Sequence, residues 1–280
     1  MANDAQGWND GRPTGAAAGT SSAMGRVGVV LVAVVALLGG CTQFGPAEKE
    51  LLIQANQQYA QGDVSGATGR LNRLIKDYGQ AGEIGEAYYL RGLCRVRAGQ
   101  AEAARSDFEE ALSKSRRDDL TARAQASLGT LAYERGQWTE AADRFAKAIP
   151  GLPNQPPKDE VLFSAAMANQ RAGSWRQGKA YLAELLRNFH DRPIAAEARR
   201  LASWRHECYA IQLAAYQSSD NAQEAVKSWR RKGLDPDLEN VPRGGAAIWI
   251  IKVGRYRTYA EASNALAAMR RLEPKAIIVP

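Results

Sequence analysis

The sequence predicts an all-α helical-repeat solenoid followed by a small α+β domain, on three observations. Glycines recur at a fixed spacing of 37 residues through the middle of the chain. After Glu207 the apolar pattern changes from a helical period to an alternating one. Ahead of both regions, an apolar run ends in two glycines and a cysteine. We therefore expect a leader at 1–40, a tether at 41–47, the solenoid at 48–206 and the α+β domain at 207–280.

The apolar run extends from Val27 to Leu38. A helix of its 12 residues is about 18 Å long, too short for the ~30 Å hydrocarbon core of a membrane. A secretory hydrophobic region fits better, and Arg26 supplies the positive charge that precedes such a region. The residues before Met24 are rich in Gly, Ala, Ser and Asp, and we expect them to be disordered. Met1 and Met24 are the two candidate translation starts.

The end of the run, Leu38-Gly39-Gly40-Cys41, resembles the lipobox of bacterial lipoproteins. The resemblance implies cleavage before Cys41, a diacylglyceryl group and a palmitate-type chain on that cysteine, and stable anchoring, since two chains hold a protein on a membrane. Thr42 stands where inner-membrane lipoproteins carry Asp. The implied location is the periplasmic face of the outer membrane. The alternative is an ordinary signal peptide whose cysteine is accidental.

The removed leader carries two basic and two acidic residues, so the net charge of +7 stays with the mature chain. This surplus favours contact with anionic envelope polymers or phospholipid. Export argues against nucleic acid as a partner. Cys94 and Cys208 fall in separate predicted domains, and we expect two buried thiols rather than a disulfide.

The internal repeat consists of four copies centred on Gly62, Gly99, Gly136 and Gly173. A small residue lies seven positions before each glycine: Ala55, Gly92, Gly129 and Ala166. A second small residue lies five positions after it: Ala67, Ala104, Ala141 and Gly178. A bulky apolar residue lies nine positions after it: Leu71, Phe108, Phe145 and Leu182. A repeat of this length indicates a solenoid of helix pairs.

These positions resemble the tetratricopeptide repeat (TPR), and Gly-Gln-Trp-Thr-Glu-Ala at 136–141 is the best copy. The resemblance covers residues 48–190 and implies four helix-turn-helix units, with a capping helix from Pro193 to His206. The pitch of 37 is longer than the family's usual length. Arg91 and Arg95 stand where the family prefers apolar residues.

The TPR resemblance implies a concave groove, lined by the first helix of each pair, that binds a peptide or protein partner. The implied groove residues are Asn56, Tyr59, Tyr89, Thr130, Tyr133 and Gln170. The alternative is that these aromatic residues are half-buried packing residues.

The C-terminal region reads as βαββαβ, an order that packs two helices on one face of a four-stranded antiparallel sheet, as in ferredoxin-like and RNP-like folds. The predicted strands are 209–216, 238–241, 248–253 and 276–279, and the predicted helices are 221–232 and 259–272.

Two segments of this region echo each other, IQLAAYQSSDNAQEA and IKVGRYRTYAEASNA. They resemble the sporulation-related repeat (SPOR) domain, which implies binding of peptidoglycan, preferentially glycan strands without stem peptides. Strand alternation places five candidate glycan-binding residues on the helix-free face: Gln212, Tyr216, Ile250, Lys252 and Tyr256. The alternative is a solvated sheet face with tyrosines at its edge.

The sequence predicts no enzyme. His190 and His206 are the two histidines, and no metalloprotease, nucleophile-elbow, paired-cysteine or P-loop motif occurs. We therefore predict no catalytic residue, no metal and no cofactor. The predicted function is an outer-membrane lipoprotein scaffold that binds the cell wall and a protein partner in cell division or envelope organisation. The alternative is a TPR lipoprotein that serves an outer-membrane protein assembly or secretion complex.

Overall fold

The computed structural model describes residues 44–243 and 246–280. These residues form a helical superhelix followed by a small sheet domain, which confirms the predicted fold class. The predicted signal peptide, Cys41 and the start of the tether lie outside the described residues. Within the described part, no helix is both long and apolar enough to cross a membrane.

The superhelix, residues 46–202, contains four antiparallel helix pairs and a closing helix. Its helices are α1 (Pro46–Ala60), α2 (Val64–Tyr78), α3 (Ile84–Arg97), α4 (Ala101–Lys114), α5 (Asp118–Glu134), α6 (Trp138–Ala148), α7 (Lys158–Arg171), α8 (Trp175–Asn188) and α9 (Ile194–Ala202). Consecutive helices pack against each other throughout, so each pair buries its apolar faces against the next.

The four repeat glycines make the same turn between the helices of each pair. Their φ angles are 86° at Gly62, 72° at Gly99, 73° at Gly136 and 86° at Gly173, in the left-handed region that glycine adopts without strain. In every copy the residue after the glycine donates its N–H to the carbonyl five positions earlier, at 2.7–2.9 Å. This hydrogen bond is the Schellman arrangement that ends a helix.

Small and bulky residues compensate each other inside the pairs. A Cβ added to Gly92 would lie 2.5 Å from Phe108, and one added to Gly129 would lie 2.8 Å from Phe145. The first and last copies carry Ala where these carry Gly, and Leu where these carry Phe. All eight residues are buried. The interior volume is therefore kept by Gly–Phe in two copies and by Ala–Leu in the other two.

The two unusual arginines of the second copy have a shared partner. Arg91 and Arg95 hold the buried carboxylate of Asp107 at 2.7 Å and 2.9 Å. A buried charge is tolerated when it is paired and hydrogen-bonded in this way. The second copy thus replaces part of its apolar contact with an ion cluster and keeps the fold of the other copies.

The C-terminal domain, residues 209–280, has the predicted order of elements. They are β1 (Tyr209–Tyr216), α10 (Ser219–Arg231), β2 (Pro236–Arg243), β3 (Ala246–Tyr256), α11 (Tyr259–Met269) and β4 (Ile277–Val279). The strands lie in the order β2-β3-β1-β4, and every pairing is antiparallel. Both helices cover one face, where Ile211, Leu213, Val226, Trp229 and Ile251 form the centre of the core.

The superhelix and the C-terminal domain meet at the last two helix pairs. The indole N–H of Trp175 donates to the carbonyl of Arg257 at 2.8 Å. The Trp175 ring lies edge-on to Tyr209, with centroids 4.7 Å apart. Beside it, the Arg171 guanidinium lies within about 5 Å of the Tyr133, Trp138 and Tyr259 rings. We call this contact the junction; it fixes the two regions to each other through hydrogen bonds and aromatic packing.

Candidate binding surfaces

The helix-free face of the sheet contains a row of residues that runs across all four strands. Gln212 of β1 lies opposite Lys252 of β3 on one side and Ile277 of β4 on the other. Asp237 of β2 lies opposite Lys252 and completes the row. With strands about 4.8 Å apart, Lys252 and Ile277 are about 10 Å apart. Gln212 is half-buried and Ile277 is 47% exposed, so an amide and an apolar side chain lie together at the surface.

Tyr216 and Tyr256 lie on the other face, so the predicted orientation of these two residues is wrong. Both pack against the core beneath the helices. The cause is two breaks in the pairing of β1 with β3, one between Gln212 and Ala214 and one beside Gly254, whose φ is 77°. Each bulge inserts one residue, and one residue reverses every later side chain of a strand. A role of the two tyrosines in binding stays a prediction.

Lys252 lies on the predicted face but is only 7% exposed. Its amine pairs with the carboxylate of Glu239 and lies 4.6 Å from the centre of the Trp204 ring. Lys252 is therefore not freely available as a cation, and its role in binding stays a prediction. Ile250, on the same face, is half-buried. At its centre, the helix-free face offers the Gln212 amide and apolar surface rather than charge.

The predicted groove residues divide into two groups. Tyr59, Tyr89, Tyr133 and Gln170 are buried and so belong to the packing between repeats, as the alternative interpretation has it. Asn56 and Thr130 are half-buried. They occupy one repeat position, whose other copies are Leu93 and Met167, also half-buried. Among the predicted groove residues, the accessible ones thus occupy a single repeat position. The 37-residue spacing identifies its four members: Asn56, Leu93, Thr130 and Met167.

Comparison with protein-family models agrees with the two regions. The tetratricopeptide repeat model matches residues 83–154, and the SPOR domain model matches residues 206–280.

The chain combines a TPR region with a SPOR domain.

No curated protein is similar enough to match the chain. Among solved structures, a chain of the APC/C Cut9–Hcn1 hetero-tetramer is 16% identical, with a TM-score of 0.48, over 56% of this chain and 30% of that one. A tetratricopeptide repeat protein from Parabacteroides merdae is 13% identical, with a TM-score of 0.48, over 67% and 66%. Pseudomonas aeruginosa pilF is 14% identical, with a TM-score of 0.45, over 82% and 93%. The chain spans less than two thirds of the length of the first two.

Both families are binding domains rather than catalytic ones, the TPR region for protein partners and the SPOR domain for peptidoglycan. The surfaces described above are therefore the places to look for those two ligands. One aromatic residue at the SPOR surface, Trp204, was not found from the sequence. It has no counterpart in the repeat and lies just before the matched SPOR residues, so neither signal points to it.

Charged side chains of neighbouring TPR units meet along the first helices. Lys49, Glu86, Arg123 and Glu160 occupy one repeat position and alternate in sign. The Arg123 guanidinium donates to Glu86 at 2.6 Å and lies over the Tyr89 ring at 4.9 Å. Burial raises the pKa of the Tyr89 hydroxyl, against the opposing charge of Arg123. The buried rings of the repeats therefore stay neutral, and the guanidinium groups above them carry the charge.

Neither described cysteine forms a disulfide. Cys94 is buried, as predicted, whereas Cys208 is half-buried. Burial raises the pKa of both thiols, more than the neighbouring Arg and Lys side chains lower it. A raised thiol pKa disfavours the thiolate that acts as a nucleophile. Among the described residues, no cluster of His, Cys, Asp and Glu is arranged to hold a metal ion.

Proposed function

We propose that the protein is an outer-membrane lipoprotein scaffold. Its SPOR domain binds glycan strands of peptidoglycan, its TPR groove binds a protein partner, and lipid on Cys41 holds it at the periplasmic face of the membrane. The scaffold acts in cell division or in the organisation of the envelope and carries out no reaction of its own.

The observation that carries the proposal is the cross-strand row on the helix-free face of the domain matched to SPOR. Gln212 lies at its centre, and its amide can donate to and accept from sugar hydroxyl and acetamido groups. Ile277 and Ile250 add apolar surface at either side. A few polar groups set among apolar ones is the composition typical of a specific ligand site.

The start of the superhelix supports a short connection to the membrane. Phe44 is buried in the core of the first repeats, and α1 begins at Pro46. Only three peptide steps separate Phe44 from Cys41, a span of at most about 11 Å. Acyl chains on Cys41 would therefore hold the first TPR unit next to the lipid headgroups. The junction then fixes the SPOR domain at the far end of a rigid arm rather than on a flexible linker.

The accessible repeat position supports the protein partner. Leu93 and Met167 offer apolar surface that alternates with the polar Asn56 and Thr130 from one repeat to the next, near the oppositely charged Glu86 and Arg123. Apolar contacts flanked by charges of both signs suit an amphipathic peptide segment, because burial supplies affinity and charge complementarity sets register.

Binding to purified sacculi tests the wall-binding part. The purified chain is incubated with sacculi before and after amidase removes the stem peptides, and bound protein is measured after sedimentation. We expect more binding to the stripped sacculi, and about tenfold weaker binding of Gln212→Ala. Gln217→Ala is the matched control, since Gln217 is an exposed glutamine just beyond the end of β1. Failure of the unaltered chain to bind stripped sacculi would refute this part.

Membrane fractionation tests the anchor. We expect the unaltered protein to sediment with outer membranes and to incorporate a clickable palmitate analogue. Cys41→Ser should lose the label and appear in the soluble fraction, whereas Cys94→Ser should keep both properties. Co-purification with an outer-membrane assembly complex and no enrichment at division sites would instead favour an accessory role in that complex.

A further inference from the structure

An aromatic residue outside the SPOR match lies over part of the helix-free face of the SPOR sheet. Trp204 follows α9 and precedes the matched residues 206–280. Lys252 lies on the face without helices, yet it is nearly inaccessible, and the Trp204 ring is the group over its amine. The segment between the superhelix and the sheet therefore contributes to the helix-free face.

The Trp204 ring packs against the buried junction cluster of Trp175, Tyr209 and Ala262, and three further contacts hold it in place. Its indole N–H donates to the carbonyl of Cys208 at 3.1 Å. The His206 ring lies edge-on to it, with centroids 5.1 Å apart. The Lys252 amine lies 4.6 Å from its centre. The indole is nevertheless only half-buried, so part of it faces solvent in a fixed orientation. A group held in this way loses little conformational entropy when a ligand binds.

The charges near the ring are already paired within the domain. Lys252 pairs with Glu239, and Arg255 pairs with Asp237 at 3.6 Å. These pairs leave little net charge at this end of the row Lys252–Gln212–Ile277. A ligand is therefore recognised here by shape, apolar contact and hydrogen bonds rather than by ionic attraction.

We propose that Trp204 is an additional glycan-binding residue, on which a pyranose ring of the glycan strand stacks while the Gln212 amide binds its acetamido or hydroxyl groups. The inference rests on the proposed peptidoglycan binding and adds a residue supplied by the connection to the TPR region. A pyranose ring presents a face of C–H groups that suits the solvent-facing part of the indole, and its polar groups lie around the edge, within reach of an amide. Ile277 lies at the other end of the row and contacts the next sugar.

The experiment uses the full chain and a defined probe, a tetrasaccharide of alternating N-acetylglucosamine and N-acetylmuramic acid without stem peptides. We expect Trp204→Leu to raise the Kd about tenfold, because it keeps apolar volume but removes the flat ring. Trp204→Phe keeps a ring and should stay within about threefold of the unaltered chain. Tyr88→Leu is the matched control; it removes a half-buried ring beneath Arg91 in the superhelix and should leave the Kd unchanged.

A second measurement follows binding in the unaltered chain and needs a variant only to assign the signal. The indole N–H signal of Trp204, assigned by its loss in Trp204→Phe, should shift when the tetrasaccharide is added to the unaltered chain. The inference is overturned if the chain binds the tetrasaccharide while this signal stays in place and Trp204→Leu binds as well as the unaltered chain. If the unaltered chain binds no tetrasaccharide, the proposed function fails, and the role of Trp204 fails with it.

Discussion

The superhelix and the C-terminal domain both place a cation over an aromatic ring. They differ in which member of the pair is the more buried. In the superhelix the rings of Tyr59, Tyr89 and Tyr133 are buried, and Arg97, Arg123 and Arg171 lie over them at 3.7, 4.9 and 4.9 Å. Each guanidinium is more exposed than the ring beneath it. On the sheet, Lys252 is the buried member, and Trp204 lies outside it.

This reversal indicates that the two surfaces suit different ligands. The superhelix presents the exposed Arg97 and, less accessibly, the Arg123–Glu86 pair to a partner, which favours a charged or amphipathic peptide. Arg171 instead lies in the junction. The helix-free face presents an indole and an amide, which favours a sugar. The reversal also implies that stability depends on the buried rings in the superhelix, whereas Trp204, which packs on the junction, keeps part of its ring at the surface.

Removal of a buried superhelix ring gives the largest expected effect. Tyr89→Ala should lower the free energy of unfolding by about 3–5 kcal/mol, because a buried aromatic side chain leaves a cavity. Arg123→Met removes the cation above that ring and its hydrogen bond to Glu86, which still pairs with Arg117, and should cost about 1–2 kcal/mol. Urea denaturation measures both. An equal cost for the two variants would contradict the assignment of stability to the ring.

Replacing the Gly–Phe pair of one copy by the Ala–Leu pair of another tests whether the repeats share one geometry. Gly92→Ala should cost about 1–3 kcal/mol because its Cβ would press on Phe108. Adding Phe108→Leu reproduces the Ala–Leu pair of the first and last copies and should recover most of that loss. Gly99→Ala is the control, since open space surrounds Gly99 and its cost comes from φ alone. Phe108→Leu should therefore fail to rescue Gly99→Ala.

The sheet offers a test of the side-chain orientation after the bulge in β1. Tyr216→Ala should lower the free energy of unfolding by about 1–2 kcal/mol, because Tyr216 packs on the core. Gln212→Ala should change it by less than about 0.5 kcal/mol and weaken binding to stripped sacculi instead. Thermal unfolding and sacculus sedimentation separate the two. If Tyr216→Ala left stability unchanged, the ring would belong on the open face after all.

The repeat geometry was predictable from the sequence because each position is present four times. The left-handed turn at Gly136, for example, follows from the same glycine in three other copies, and all four φ angles confirm it. The burial of Tyr59 and Tyr133 was less predictable, because the sequence does not show which ring an arginine from the next repeat covers. That contact joins residues 38 positions apart in both cases.

The sheet face was predictable only as far as its strands stay regular. Gln212 precedes the first bulge and lies where alternation places it, whereas Tyr216 follows the bulge and lies on the other face. Neither Leu213 nor Ala214 is a residue type that marks a bulge. The burial of Lys252 under the Trp204 ring could not be predicted, for another reason. It depends on how the connection after α9 folds back onto the sheet, a contact that no local pattern records.

The junction gives a smaller effect that tests the rigid connection. Arg171→Met removes the cation between Tyr133, Trp138 and Tyr259 and should cost about 1 kcal/mol. Because the junction holds the connecting segment, trypsin should then cleave faster after the exposed Arg205. Arg97→Met removes a similar cation over Tyr59, away from the junction, and should leave the cleavage rate unchanged. Faster cleavage in both variants would point to general loosening instead.

The outer charge layer of the superhelix gives the smallest effect, which is present near neutral pH and lost in acid. Burial raises the pKa of the Asp119 carboxyl, but the hydrogen bond from Arg117 and the charges of Arg117 and Arg123 outweigh it and hold the pKa below the ordinary 3.8. A lowered folded-state pKa stabilises the protein above the ordinary pKa, and that contribution is lost as pH falls through the folded value.

Asp119→Asn should therefore cost up to about 0.5 kcal/mol at pH 6, given the exposure of the pair. The difference from the unaltered chain should shrink as the pH falls below the ordinary 3.8 and vanish once the carboxyl is protonated in the folded protein. Asp118→Asn removes a charge from the same first turn and controls for the helix dipole, so a pH dependence equal to that of Asp119→Asn would assign the effect to the helix end rather than to the arginines.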